Sequence, residues 1–165
     1  VGLGRIARRV AAVGHALGME VIAHDPFIDV ADSDRVRLVD LDEVFSTADV
    51  VSLHAPGGEA TRHLVDAARL ATMRPGAVLV NCARGSLVDQ DALLGALESG
   101  QLGGAALDVT EPEPLPAGHP LLGREDVVVT PHVASSTAAG RRRLYEHAID
   151  NALAVLEGRP ATIVS

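Results

Sequence analysis

Residues 1–25 read VGLGRIARRVAAVGHALGMEVIAHD, and three signals in that stretch decide the fold. Gly2-Leu3-Gly4-Arg5-Ile6-Ala7 fits the pattern G-x-G-x-x-G/A. In that pattern the first glycine permits a tight turn, the second lets a pyrophosphate approach the backbone, and the third small residue lets a helix pack closely on a strand. From Arg5 to Leu17 the apolar residues Ile6, Val10, Val13 and Leu17 recur at three- and four-residue spacing, and Gly18 follows as a cap. This predicts an amphipathic helix whose free N–H groups and positive dipole end face the glycine turn. Val21-Ile22-Ala23 is then a short apolar run ending in His24, Asp25 and the breaker Pro26, which predicts a buried strand.

Asp25 lies 23 positions after Gly2, near the roughly 20-residue spacing at which a carboxylate meets ribose hydroxyls. An acid there repels a 2'-phosphate, and no Arg or Lys lies between Pro26 and Asp34 to hold one, so the pattern favours NAD over NADP. The plainer alternative is an aspartate that merely ends a strand before Pro26. Turn, helix and spacing together favour the dinucleotide reading.

Outward from this stretch the pattern repeats. Val50 to Leu53, Ala77 to Val80, Ala105 to Leu107 and Val127 to Val129 are short continuous apolar runs, as expected of parallel strands covered on both faces. Helical stretches lie between them, clearest from Asp89 to Ser99, where Asp89 caps the start, Leu93, Leu94 and Leu97 face inward and Gly100 ends the helix. A last helix is predicted from Ala138 to Glu157 with Leu144, Ala148, Ala152, Val155 and Leu156 on one face. Glu111 to Pro120 holds four prolines and is expected to be an irregular loop. Strands alternating with helices imply an α/β fold, a Rossmann-type doubly wound parallel sheet in three αβα layers.

Composition sets limits on the chemistry. The chain has 165 residues, the size of one globular domain, and only 2% aromatic residues, so its core is expected to consist of Ala, Val, Leu and Ile. A net charge of -8 argues against a basic surface for nucleic acid or anionic lipid. Arg141 to Arg143 is the only basic run and reads as a solvated helix face. Cys82 is the single cysteine, so no intrachain disulfide can form and a reducing cytoplasm fits. No apolar stretch approaches the roughly 18 residues of a membrane span, so a soluble chain is expected. The histidines show no metal-ligand spacing, and no metal site is expected.

In an open parallel sheet the ligand crevice lies outside the carboxyl ends of the strands. There Ala77 to Asn81 leads into Cys82-Ala83-Arg84-Gly85, Gly104 to Leu107 into Asp108, and Val127 to Thr130 into Pro131-His132. Taken singly, Arg84 reads as a turn residue, Asp108 as a strand-end cap, Glu113 as one acid of a Pro-rich loop, and His132 as structural. Their common edge reads as a site. The segments Asn81-Cys82-Ala83-Arg84-Gly85, Ala106-Leu107-Asp108-Val109-Thr110-Glu111-Pro112-Glu113-Pro114 and Thr130-Pro131-His132 resemble the signatures of the D-isomer-specific 2-hydroxyacid dehydrogenases, phosphoglycerate dehydrogenase-like, in order and spacing.

That resemblance covers Val1 to about Pro160. It implies that Arg84 binds the substrate, that His132 is the acid/base, that Glu113 is its carboxylate partner and that Asp108 contacts the nicotinamide carboxamide. Only the family spacing selects Glu113 over Glu111. The cofactor residues expected on this reading are Gly2, Gly4, Arg5, Ile6, Asp25, Ala55, Pro56, Cys82, Ala83, Asp108, His132 and Ala134. The chemistry asks for such types: a guanidinium clamps a carboxylate bidentately, and imidazole exchanges protons near neutral pH. Cys82 has no evident base and is expected to touch the cofactor only through its backbone. His54 is expected to line the crevice through its backbone.

Three departures from the family pattern stand out. Ala7 replaces the third glycine, Gly57-Gly58 replaces a bulky residue and Thr after Pro56, and Thr110 replaces an aromatic. The expected organisation is one NAD-binding domain over residues 1–165, with its first strand largely missing and the family's substrate domain absent, so that the isolated piece would be inactive. A small 2-hydroxy or 2-oxo acid and a second copy of the chain in a homodimer are the expected partners. Two other classes share the fold: NAD-sensing corepressors that resemble this family, and Rossmann domains of other chemistry such as methyltransferases. The absence of an obvious interaction tail favours the enzyme.

Overall fold

The computed structural model describes residues 1–30 and 35–161, so Asp34, which bounds the cation-free stretch after Pro26, lies outside the described residues. The chain forms two compact units, Val1–Pro131 and a second beginning at His132. In the first, the strands are β1 (Ile22–Ala23), β2 (Arg37–Leu38), β3 (Val50–Leu53), β4 (Ala77–Asn81), β5 (Leu102–Leu107) and β6 (Val127–Val129). The helices are α1 (Arg5–Ala16), α2 (Leu41–Thr47), α3 (Ala67–Thr72) and α4 (Gln90–Glu98). All strand pairings are parallel, β1 with β2 and, in a second ladder, β3-β4-β5-β6.

Residues 1 and 2 join the two ladders. The Val1 nitrogen donates to Ser52 O at 2.8 Å and His54 N donates to Val1 O at 2.8 Å, while on the other side Gly2 N donates to His24 O at 2.7 Å. Residues 1 and 2 thus do a strand's hydrogen bonding to neighbours on both sides. The lateral order is β2, β1, residues 1–2, β3, β4, β5, β6. Strand order reverses between residues 1–2 and β3, which is where this class of sheet opens its crevice.

Register then aligns the strand ends. Leu53 pairs with Asn81, Asn81 with Leu107 and Leu107 with Val129. The next residues, His54, Cys82, Asp108 and Thr130, leave the sheet in one row.

The core between sheet and helices holds Leu53, Leu70, Leu79, Leu87, Leu93 and Leu121, each at most 1% exposed, and one aromatic, Phe45. α3 packs against both α2 and α4, and right-handed crossovers put α1 on the opposite face of the sheet. The ends are capped as their sequences imply: Asp66 accepts from Arg69 N at the start of α3, and Asp89 accepts from Ala92 N at the start of α4. In α4 Leu93 and Leu97 are buried and Leu94 is half-buried. β2 and the short α2 escape periodicity because each offers too few residues to show a period.

α1 turns a different face inward from the one its apolar spacing predicts. Ala7 and Ala11 are buried, whereas Ile6, Val10, Val13 and Leu17 are 46–71% exposed. The reason is distance: Leu3, Ala7 and Ala23 form one small cluster, and only small residues let the helix lie this close to β1. In the second unit, α5 (Ala138–Leu156) begins where predicted, with Thr137 accepting from Gly140 N. Its predicted inward face is exposed, Leu144 and Leu156 included, and Ala154 is its one buried residue. A unit with a single helix among its described residues offers no second layer to cover that face.

Close packing at Gly103 in β5 gives a test. A Cβ there would stand 2.4 Å from Gly76 O, which is backbone and cannot yield. Gly103→Ala is expected to destabilise the protein by about 1–3 kcal/mol, whereas Gly95→Ala inside α4, where a Cβ meets nothing within 4 Å, should stabilise it by about 0.5–1 kcal/mol. Urea denaturation of the two variants measures the contrast.

Candidate functional site

At the glycine turn the backbone dictates the residue. Gly2 has φ +84°, and a Cβ on it would come within 2.9 Å of the His54 carbonyl carbon and oxygen. Gly4 is the N-cap of α1, and a Cβ there would meet nothing within 4 Å, leaving an open approach to the backbone. The first intrahelical bond is Arg8 N to Gly4 O, so the N–H groups of Arg5, Ile6 and Ala7 have no acceptor within the helix, and no acid stands in its first turn. This cradle fits a pyrophosphate.

Asp25 has a task that spacing alone does not reveal. Its Oδ2 accepts the Leu3 N–H at 2.8 Å and its Oδ1 accepts the Phe27 N–H at 3.0 Å. The carboxylate therefore pins the glycine turn to the end of β1, and each oxygen keeps acceptor capacity for a hydroxyl.

Along the row of strand ends, His54 Nε2 lies 3.0 Å from Ser52 Oγ, and burial lowers the imidazole pKa, favouring the neutral ring. Ala55 is half-buried and Pro56 exposed. Asn81, 1% exposed, was not singled out as a site residue from sequence, yet it shapes the next turn. Its Nδ2 donates to Arg84 O at 2.9 Å and its Oδ1 accepts from Ala83 N at 3.0 Å. The only sequence signal for this was a polar residue closing an apolar run. The thiol of Cys82 is pushed up by partial burial and then by the Asp108 charge, so it stays protonated and is a poor nucleophile.

Arg84 is exposed, with Nη1 donating to Ala83 O at 2.6 Å. Its stem lies on Gly57, where a Cβ would stand 2.8 Å from Arg84 Cγ. The departure at Gly57-Gly58 thus falls directly against this arginine.

Asp108 is 5% exposed and accepts from Thr130 Oγ1 at 2.6 Å. It shares a cavity of about 480 Å³ with Thr110, Glu113, Pro114, Leu122 and Thr130. Glu111 is engaged elsewhere: Arg62 Nη1 donates to both its carboxylate oxygens, at 3.0 and 3.2 Å. In the second unit, His132 has φ +53°, an uncommon left-handed conformation for a residue with a side chain, and both His132 and Ala134 are exposed. Among the described residues no cluster of His, Cys, Asp or Glu could hold a metal ion, and no helix is long and apolar enough to cross a membrane.

Residues 1–134 match the model of the D-isomer specific 2-hydroxyacid dehydrogenase family, NAD binding domain. The chain belongs to this family. It is 47% identical over 154 residues to (S)-sulfolactate dehydrogenase of Chromohalobacter salexigens, covering 92% of this chain and 50% of that protein. It is 42% identical over 163 residues to D-3-phosphoglycerate dehydrogenase of Synechocystis, covering 98% and 29%. The crystal structure of D-lactate dehydrogenase with NAD+ from Lactobacillus jensenii superposes with a TM-score of 0.90 at 32% identity, over 99% of this chain and 53% of that one. The chain spans half or less of the length of these curated relatives. It is an NAD-binding Rossmann domain.

Asp25 holds the glycine turn and keeps acceptor capacity beside it, so its removal predicts a double loss. Asp25→Ala is expected to lower stability by about 1–3 kcal/mol through the orphaned Leu3 N–H, and to weaken NADH binding beyond what partial unfolding explains. Calorimetric titration below the melting transition separates the two effects.

Proposed function

We propose that the protein carrying this chain is an NAD-dependent oxidoreductase interconverting a D-2-hydroxy acid and its 2-oxo acid. The observation that carries the reading is that Arg84, Asp108 and the Glu113 loop leave the same edge of the sheet as the glycine turn. When bound, the reduced cofactor supplies the hydride to the carbonyl carbon. Arg84 holds the substrate carboxylate bidentately and polarises the neighbouring carbonyl. His132, as imidazolium, gives its proton to the oxygen that becomes the hydroxyl and recovers it in the reverse direction. Glu113 serves as the carboxylate partner of that acid/base. The engagement of Glu111 by Arg62 supports Glu113 as the partner.

Cofactor contacts fall, on this reading, to Gly2, Gly4, Arg5, Ile6, Asp25, Ala55, Pro56, Cys82, Ala83, Asp108, His132 and Ala134. The names of the relatives, dehydrogenases of sulfolactate, 3-phosphoglycerate and D-lactate, support the substrate class. Steady-state rates of NADH oxidation by the full-length protein over a panel of 2-oxo acids test the proposal. Arg84→Ala and His132→Ala are each expected to lower kcat/KM by about 10²–10⁴-fold while NADH still binds, and unchanged rates in both would overturn it. The isolated chain should bind NADH without turnover.

A homodimer completes the proposal, supported by the exposed apolar stripe Ile6, Val10, Val13 and Leu17 along α1. The full-length protein is expected to sediment as a dimer, and Val10→Asp with Val13→Asp as a monomer. A monomeric wild type would refute the dimer.

A further inference from the structure

The loops after β3, β4 and β5 carry the groups that the proposed reaction uses, yet loops outside the strand ends have no ladder to hold them. Glu111 gathers all three. Its carboxylate accepts both hydrogen bonds from Arg62, on the segment after β3. Its carbonyl accepts from Gln90 Nε2, at the start of α4 after β4. Next to it, Thr110 O lies 2.1 Å from where a Cβ of Gly85 would be, so the turn that carries Arg84 rests backbone to backbone on the loop that carries Glu113.

Arg62 reaches Glu111 from an anchored position. Thr61 Oγ1 donates to Pro56 O at 2.7 Å, His63 N donates to Ser86 O at 2.8 Å, and Val65 pairs with Val88. Both partners of the ion pair are about half exposed, 48% and 42%, and such a pair contributes only about 0–1 kcal/mol to global stability. Position is another matter, since a misplacement of about 1 Å in a reacting group costs on the order of 10²-fold in rate.

We propose that Arg62 is a positioning residue: through Glu111 it clamps the loop bearing Glu113 against the turn bearing Arg84. This inference rests on the oxidoreductase reading above. The test is Arg62→Met in the full-length protein, followed by thermal melting, NADH titration, 2-oxo acid kinetics and hydrogen exchange of the peptide covering residues 108–115. Melting should fall by no more than about 4 °C, NADH affinity should stay within about twofold, and kcat/KM for the oxo acid should fall at least about tenfold.

Exchange at 108–115 should quicken in Arg62→Met. The paired reversal Arg62→Glu with Glu111→Arg should recover more activity than either single change. Unchanged kcat/KM and unchanged exchange would overturn the clamp, as would a parallel loss of melting temperature, NADH affinity and turnover, which marks general destabilisation. If the wild type reduces no 2-oxo acid, the oxidoreductase reading fails, and the exchange experiment alone decides whether Arg62 holds the loop.

Discussion

The in-register pairing of Leu53, Asn81, Leu107 and Val129 is the constraint from which the site follows. A parallel ladder with that register brings four strands to a common end, so the residues after them emerge side by side whatever their separation in sequence. Residues 1 and 2 extend the row to the glycine turn through their bonds to Ser52, His54 and His24. Displacing one strand by a single residue would turn its side chains to the other face and break the row of His54, Cys82, Asp108 and Thr130.

What the strands align, close approach at glycines completes. Gly2 lies against the His54 carbonyl, Gly57 beneath the stem of Arg84, and Gly85 on the Thr110 carbonyl. Each is a place where a methyl group would push two loops apart. The same logic selects Ala7 and Ala11 for the inner face of α1. Small residues here act through distance, and hydrophobicity is secondary.

Polar side chains then hold the loops in shape. Asp25 ties the turn to β1, Asn81 closes the turn before Arg84, Thr130 satisfies the buried Asp108, and Arg62 engages Glu111. Buried members of this set cost folding energy if left unpaired, and each has a partner delivered by another segment or by its own turn. The pattern separates two neighbouring acids, one bound by an arginine and one lining a cavity with Asp108. Their chemical difference comes from surroundings, since their residue type is the same.

Much of this was legible in the chain itself. Apolar runs located five strands, Asp89 and Gly100 bounded α4, and the glycine turn with Asp25 indicated NAD, because those signals are local and each needs only a few neighbouring residues. Family likeness supplied the roles proposed for Arg84, Glu113 and His132. The inner face of α1 was not legible, because apolar spacing reports where large residues lie and not how near a helix must come to its strand. Nor could spacing show that Asp25 binds the Leu3 N–H, that Asn81 shapes the Arg84 turn, or that Arg62 takes Glu111 across 49 residues. The sequence by itself determined the α/β architecture, the dinucleotide turn and the residue types available at the strand ends, since these depend on local pattern. Tertiary structure alone decided which carboxylate meets which partner and how closely the loops approach, because those are matters of register and distance between segments far apart in the chain.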